Sequence, residues 1–283
     1  MFLILSSQES EPYVQARKGF EKSLSQYFPD ANFIYHHAVQ GKESDAYKAI
    51  SGSKARKPTA VFSLGTGSTE YAQTEYPDCP LVASMLLSDN VMQKKPKHSG
   101  ILLQFPAEIQ LLWVNKFLPQ ATRIGILYDP ARNSEWVKEA NKSAQEMGLE
   151  IIAFAADTAA KIQSGLKYIS KNADVLLAIP DKIIYSGKTA KMVLLFTHRN
   201  RIPFVGLSAA WVKAGALYAL EADYGGLGRQ AAELIREYLD GNPSDSVMAY
   251  PEKATYTVNK KTSEHLHLEI DSELIKGAAK VFE

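Results

Sequence analysis

The 283-residue chain carries 32 basic and 31 acidic residues, a formal charge of +1, and 46% apolar side chains. Enough apolar sequence is present for two moderate domains, each with its own core. Nucleic acid is not the expected partner, because phosphate neutralisation needs a concentrated basic surface and here the densest clusters are only KARK at Lys54–Lys57 and KKPK at Lys94–Lys97. Cys79 is the single cysteine, in a PDCP turn, which excludes an intramolecular disulfide. No apolar run approaches the ~18 residues of a membrane span. The opening MFLIL reads as a first strand, since it has no basic leader or cleavage site of a signal peptide.

In chain order, short β-branched or Leu-rich runs alternate with segments of helical period, the pattern of parallel α/β sheets. Strands are expected at Phe2 to Leu5, Asn32 to His36, Thr59 to Leu64, Leu81 to Ser84 and Gly100 to Leu103, with helices at Tyr13 to Tyr27, about Asp45 to Ser51, and Ser68 to Glu75. The rhythm then restarts. Pro106 opens a helix whose expected apolar face is Ile109, Leu112, Trp113 and Phe117, and Pro119 ends it. Strand Arg123 to Tyr128, helix Ser134 to Met147, strand Ile151 to Ala155, helix Thr158 to Ser170, strand Val175 to Ile179, helix Thr189 to Arg199 and strand Phe204 to Gly206 follow. The strongest helix signals lie at Asp223 to Leu239, with Asp223 as cap, Gly241 as stop and Pro243 beyond. A strand at Ala254 to Val258 and two short helical stretches close the chain. Ala46–Ile50 followed by TAVFSLGTGSTEY corresponds weakly to Gly165–Ile169 followed by ADVLLAIPDKIIY. This matches either a duplication or any two βαβ units.

Most catalytic constellations fail on inspection. GTGST supplies Gly65 and Gly67 at the first two dinucleotide-fingerprint positions, but Glu70 stands at the third and no phosphate-loop lysine follows. GLSAA at Gly206 to Ala210 ends in Ala where a nucleophile elbow needs Gly. His265 and His267 lie in a helical stretch with no companion ligands, so a solvated or capping role is expected. No catalytic residue, metal or cofactor is assigned.

In a parallel α/β sheet, ligands collect at the carboxyl ends of the strands, where helix amino termini point outward. Those ends carry Ser7 and Tyr13; Gly65, Thr66, Gly67 and Ser68; and Ser84 and Met85. From the later half come Tyr128, Asp129 and Asn133, Pro180 and Asp181, and Ser208 and Trp211. Small hydroxyls, glycines and aromatics suit hydrogen bonding and stacking of a small polar solute, not bond breaking. Thr66 and Ser68 are anion-contact candidates and Asp181 a cation partner. Ser68 could equally cap its helix, and Tyr13 and Trp211 either stack on a ligand or pack within their domain.

VFSLGTGSTEYA, LPQATRIGILYDP from Leu118, WVKAGALYALEADYGGLGRQAAELI from Trp211 and YTVNKKTSEHLHLEI from Tyr256 together resemble the substrate-binding proteins of ABC transporters related to tryptophan and tyrosine importers. The resemblance covers nearly the whole chain, and LGRQAA and NKKTSEHL are its most specific parts. It implies a type I periplasmic binding protein fold: α/β, two Rossmann-like lobes with parallel sheets joined by three hinge crossings. The implied lobes are 1–103 plus 222–250 and 104–221 plus 251–283. It further implies a cleft that closes on a small-molecule ligand, possession of no cofactor, a monomer in transient contact with a membrane permease, and a periplasmic or extracellular location.

The chain departs from better-known members at Ser88 to Asn90, where many carry Asp-Pro, and at Leu207 and Ser208, where many carry an acidic residue. The second departure bears on whether the ligand is an amino acid, with Asp181 or Asp129 as substitutes for the lost acid. Two other functions fit the same architecture: a ligand-sensing domain of a receptor or regulator, and an enzyme on paired α/β lobes.

Overall fold

The computed structural model describes residues 1–37, 57–241 and 246–283. The helix expected at about Asp45 to Ser51, the Ala46–Ile50 part of the internal correspondence, Pro243 and most of the KARK cluster lie outside the described residues. The chain divides into two compact units, Met1–Gln104 with Ala222–Ala254 and Phe105–Glu221 with Thr255–Glu283.

The described elements begin with β1 (Phe2–Ser6), α1 (Glu11–Tyr27), β2 (Phe33–His37), β3 (Ala60–Leu64), α2 (Thr66–Glu75), β4 (Leu81–Leu86) and β5 (His98–Leu102). There follow α3 (Ala107–Phe117), β6 (Arg123–Tyr128), α4 (Pro130–Glu146), β7 (Glu150–Ala155), α5 (Ala159–Asn172), β8 (Val175–Leu177), α6 (Ala190–Arg199), β9 (Phe204–Gly206), α7 (Ala209–Lys213) and β10 (Tyr218–Ala222). The chain continues through α8 (Tyr224–Leu239), β11 (Met248–Ala249), β12 (Ala254–Asn259), α9 (Lys260–His265), α10 (Ser272–Lys276) and β13 (Lys280–Phe282). No described helix is long and apolar enough to cross a membrane.

The first unit holds a sheet of order β11-β5-β4-β3-β1-β2 and the second a sheet of order β13-β12-β10-β9-β8-β6-β7. The pairings of β1 with β2 and β3, of β3 with β4, and of β6 with β7 and β8 are all parallel. Counted within each unit, both sheets therefore share one doubly wound core order, 2-1-3-4-5. The chain reverses its direction of travel beside the first strand, between β1 and β3 in one unit and between β6 and β8 in the other. Such a reversal leaves a crevice at the strand ends. The segments TAVFSLGTGSTEY and ADVLLAIPDKIIY contain β3 and β8, the equivalent third strands.

Every residue of β1, β3 and β4 is buried, which is why these strands read as mostly apolar runs, each with a single serine, rather than alternating ones. Helix α1 buries Ala16, Phe20 and Leu24, and Phe20 stacks on Phe62 of β3 with ring centroids 4.3 Å apart. Helix α8 packs against α1 at backbone contact. A Cβ on Gly228 would lie 1.9 Å from the carbonyl oxygen of Ala16, and one on Gly19 would lie 2.1 Å from that of Gly225. Glycine is required at this crossing because nothing larger fits. In the second unit Phe117 of α3 stacks on Tyr218 of β10 at 3.9 Å, with Trp113 and Tyr256 beside it.

Several local expectations shift. The buried stripe of α3 is Ala107, Leu111, Val114 and Phe117, while Leu112 is 39% exposed. Helix α4 starts four residues ahead of Ser134, because Asp129 accepts from the N–H of Ala131 as cap and Pro130 occupies the first turn. Strands β10, β11 and β13 were not anticipated; each is fixed by its neighbours in the sheet more than by its own composition.

Candidate functional site

At the strand reversal of the first unit, β3 ends in a turn at Gly65, whose φ of +91° is open to glycine and strained for other residues. The N–H of Gly65 donates to the carbonyl of Ser84 at 2.8 Å, and the N–H of Ser7 donates to the carbonyl of Leu64 at 2.9 Å. Three strand ends are thereby clamped around the first turn of α2. Ser68 locks that turn from beneath. It is fully buried, its hydroxyl donates to the carbonyls of Leu64 at 2.7 Å and Gly65 at 3.0 Å, and its N–H donates to Ser7 Oγ at 2.9 Å. Thr69 adds a bond to the carbonyl of Gly65 at 2.8 Å.

Gly65 at the cap position has no side chain to accept from the first turn of α2, and Ser7 Oγ takes only the N–H of Ser68. Among the described residues the N–H groups of Thr66 and Gly67 have no protein acceptor. They point from the positive end of a ten-residue helix.

A cavity of about 330 Å³ lies over this turn, lined by Ser7, Gln8, Tyr13, Thr66, Gly67, Met85, Leu87 and Leu103. Five of the candidates from sequence, Ser7, Tyr13, Thr66, Gly67 and Met85, thus meet on one cavity. Gly65 and Ser68 belong to the same turn but do not line the cavity. Ser84 is fully buried in β4, its Oγ without a partner among the described residues. Burial raises the Tyr13 hydroxyl above the usual tyrosine range, so it remains a neutral donor and acceptor at any physiological pH.

Sequence reasoning missed Gln8, Leu87 and Leu103 as lining residues. Met85 is aimed by a backbone feature with no sequence signature: it has a φ of +60°, next to a register irregularity between β4 and β5. Positive φ at a bulky residue is costly and persists only where surrounding structure enforces it.

At the strand reversal of the second unit the candidates assemble differently. Asp181, 9% exposed, accepts from four donors: the N–H of Asp129 at 3.0 Å, Asn133 Nδ2 at 2.9 Å, and the N–H groups of Ile183 at 2.8 Å and Ile184 at 2.9 Å. Asn133 Nδ2 also donates to the carbonyl of Pro180 at 3.3 Å. The carboxylate thus staples the loop after β8 to the loop after β6. Its acceptor capacity is filled.

Asp129 accepts from the N–H of Ala131 at 3.0 Å and lies 3.6 Å from Arg132 Nε. Tyr128 ends β6 beside it, half-buried. Trp211 packs edge-on to Tyr185 and Phe204, at 5.9 and 5.8 Å, and Ser208 begins its helix without a side-chain bond to it. The buried Tyr185 hydroxyl is raised far above its ordinary range, by desolvation first and then by the Asp181 charge. His265 stacks on His198 at 4.0 Å, and among the described residues no cluster of three or more His, Cys, Asp or Glu could hold a metal ion.

Two parallel sheets of the same doubly wound order, each with small polar groups at its strand reversal, define a type I periplasmic binding protein fold. The same fold is found in the ligand-free, open form of a substrate-binding protein with adhesive properties from Clostridium difficile, with a TM-score of 0.78, 21% identity and 99% and 98% of the two chains covered. An ABC domain from Streptococcus pneumonia in complex with L-Trp matches with a TM-score of 0.63, 20% identity and all of both chains covered. The model of the ABC transporter substrate binding protein family matches residues 9–282, and the chain belongs to that family. A tyrosine-binding protein of Clostridioides difficile (strain R20291) is 24% identical over 243 residues, covering 80% of this chain and 69% of that protein. The protein is thus a solute-binding component that works with an ABC transporter.

Proposed function

We propose that the solute is a small carboxylate with an apolar or aromatic body, in the size range of an amino acid, delivered outside the cytoplasm to a membrane permease by a monomer that does not transform it. The observation that carries this reading is the cavity in the first unit. One end presents the N–H groups of Thr66 and Gly67, which have no acceptor among the described residues, with the exposed Thr66, and the rest is lined by Ser7, Gln8, Tyr13, Met85, Leu87 and Leu103.

Helix-terminal amides favour an anion. Small-molecule sites use a few placed polar groups for orientation beside apolar walls, and this lining combines both. Relatives named or crystallised with tyrosine and tryptophan support the size and chemistry of such a ligand. In the second unit, Asp181 is assigned to holding its loop rather than to a ligand cation, while Tyr128, Ser208 and Trp211 remain candidate contacts.

The test is a thermal-shift screen of small carboxylates, amines and neutral analogues, since a ligand specific to the folded state raises the melting temperature. Carboxylates with apolar bodies should give the shifts. Stabilisation only by sugars or amines would overturn the reading.

A further inference from the structure

We infer that the Tyr13 hydroxyl is a third donor to the carboxylate of the solute, so that Tyr13 selects its ligand through the phenol oxygen and not by stacking its ring on the apolar body. The inference rests on the reading above. It is carried by where that oxygen lies and by how the hydroxyls around it are engaged.

Tyr13 stands three, seven and eleven residues ahead of Ala16, Phe20 and Leu24, the buried stripe of α1. That spacing keeps one face of a helix, so the face that packs on the sheet also carries Tyr13. Phe20 on this face stacks on Phe62 of β3. Tyr13 reaches the residue just past the end of the same strand: a Cβ on Gly65 would lie 3.1 Å from Tyr13 Oη. Gly65 directly precedes Thr66 and Gly67, whose N–H groups have no acceptor among the described residues. The phenol oxygen is thus held at the turn that presents those two donors, and it arrives from α1 while they belong to α2. Gly65 gains a second reason to be glycine, since any side chain there would press on Tyr13 Oη and on Ser7 as well as strain a φ of +91°.

Of the hydroxyls packed on this turn, those of Ser7, Ser68 and Thr69 are engaged within the protein. Ser7 Oγ accepts from the N–H of Ser68 at 2.9 Å and donates to Ser68 Oγ at 3.2 Å. Ser68 Oγ donates to the carbonyls of Leu64 and Gly65, and Thr69 Oγ1 donates to the carbonyl of Gly65. The Tyr13 hydroxyl has no partner among the described residues.

A half-buried phenol has lost part of its water, and burial keeps its proton in place for donation. A carboxylate is the acceptor that suits such a donor best, because hydrogen bonds to an ionised partner are shorter and stronger than neutral ones. A ring used only for stacking needs no oxygen, and a phenylalanine would serve as well.

The experiment is isothermal titration of the intact protein and of Tyr13→Phe with tyrosine, phenylalanine and 3-phenylpropionate at neutral pH, together with the ligand-free melting temperature of both. The variant keeps the ring and lacks the oxygen. Carboxylate affinity should fall roughly 10- to 100-fold, the range of a hydrogen bond to a charged group, with the ligand-free melting temperature unchanged. Parent-like affinity in Tyr13→Phe assigns the role to the ring and overturns this inference while leaving the carboxylate reading standing. A lowered ligand-free melting temperature gives the hydroxyl to the fold and overturns it as well. If none of these carboxylates binds the parent protein, the inference and the reading fall together.

Discussion

The backbone N–H of Ser68 donates to Ser7 Oγ at 2.9 Å, and this bond joins the end of β1 to the first turn of α2. Ser7 Oγ in turn lies 3.2 Å from Ser68 Oγ as donor. Because the Ser68 hydroxyl donates to the carbonyls of Leu64 and Gly65, it is spent within the turn, and Thr66 is the exposed hydroxyl residue beside it. Ser68→Ala should therefore cost about 1 to 2 kcal/mol in a urea melt, the usual loss for a buried hydroxyl with its partners left unpaired. Thr66→Val should leave the melt unchanged and weaken ligand binding. Equal stability of the Ser68→Ala variant and the parent would remove Ser68 from its structural role.

The α1–α8 crossing gives a second expectation. Gly228→Ala places a methyl against the backbone carbonyl of Ala16 and the N–H of Phe20, neither of which can rotate away. A loss of about 3 kcal/mol is expected, at the upper end for overpacking. Gly187→Ala is the control, since nothing lies within 4 Å of a Cβ there and its φ is unexceptional. Comparable melts for the two variants would contradict the close approach.

Asp174 gives a pH-dependent expectation. Arg123 Nη2 lies 2.6 Å from its Oδ1, and the N–H groups of Thr122 and Arg123 donate to Oδ2 at 3.0 and 2.8 Å. The hydrogen bond from Arg123 is the leading cause that holds its carboxyl at about 2, below the ordinary 3.8. A depressed folded-state value contributes stability that is fully present above the unfolded value and is lost as pH falls from there through the folded value. The stability gap between the parent and Asp174→Asn should stay level from neutral pH to about 5 and close between about 4 and 2. A gap independent of pH down to 2 would contradict the pairing.

Much of the fold was legible where local and tertiary demands coincide. β1, β3 and β4 are apolar but for one buried serine each because both faces are covered, and Asp223 with Gly241 brackets α8 because the cap and the left-handed stop are chemical requirements at those positions. Strand β10, YALEA, carries mixed residues and is a strand because β9 and Asn259 accept and donate around it. No local pattern encodes that.

The site divides in the same way. The GTGST turn announced itself through glycine, but a serine in sequence gives no hint whether its hydroxyl faces a ligand or the carbonyls beneath it. Asp181 looked like a charge at a strand end, and only the loop geometry shows four donors converging on it. Met85 is legible as a strand-end residue, but the positive φ beside a neighbouring irregularity with which it reaches the cavity is not.

The central claim is that a carboxylate seats on the amino terminus of α2 in the first unit. Thr66→Asp tests it most directly, because an acidic side chain in the first helical turn favours the helix while repelling an anionic solute. Calorimetric titration with the carboxylate that most raises the melting temperature should show affinity reduced by roughly 100-fold, as expected for a like charge at the contact, with the ligand-free melting temperature unchanged or raised. Unchanged affinity in a well-folded Thr66→Asp protein would contradict the account.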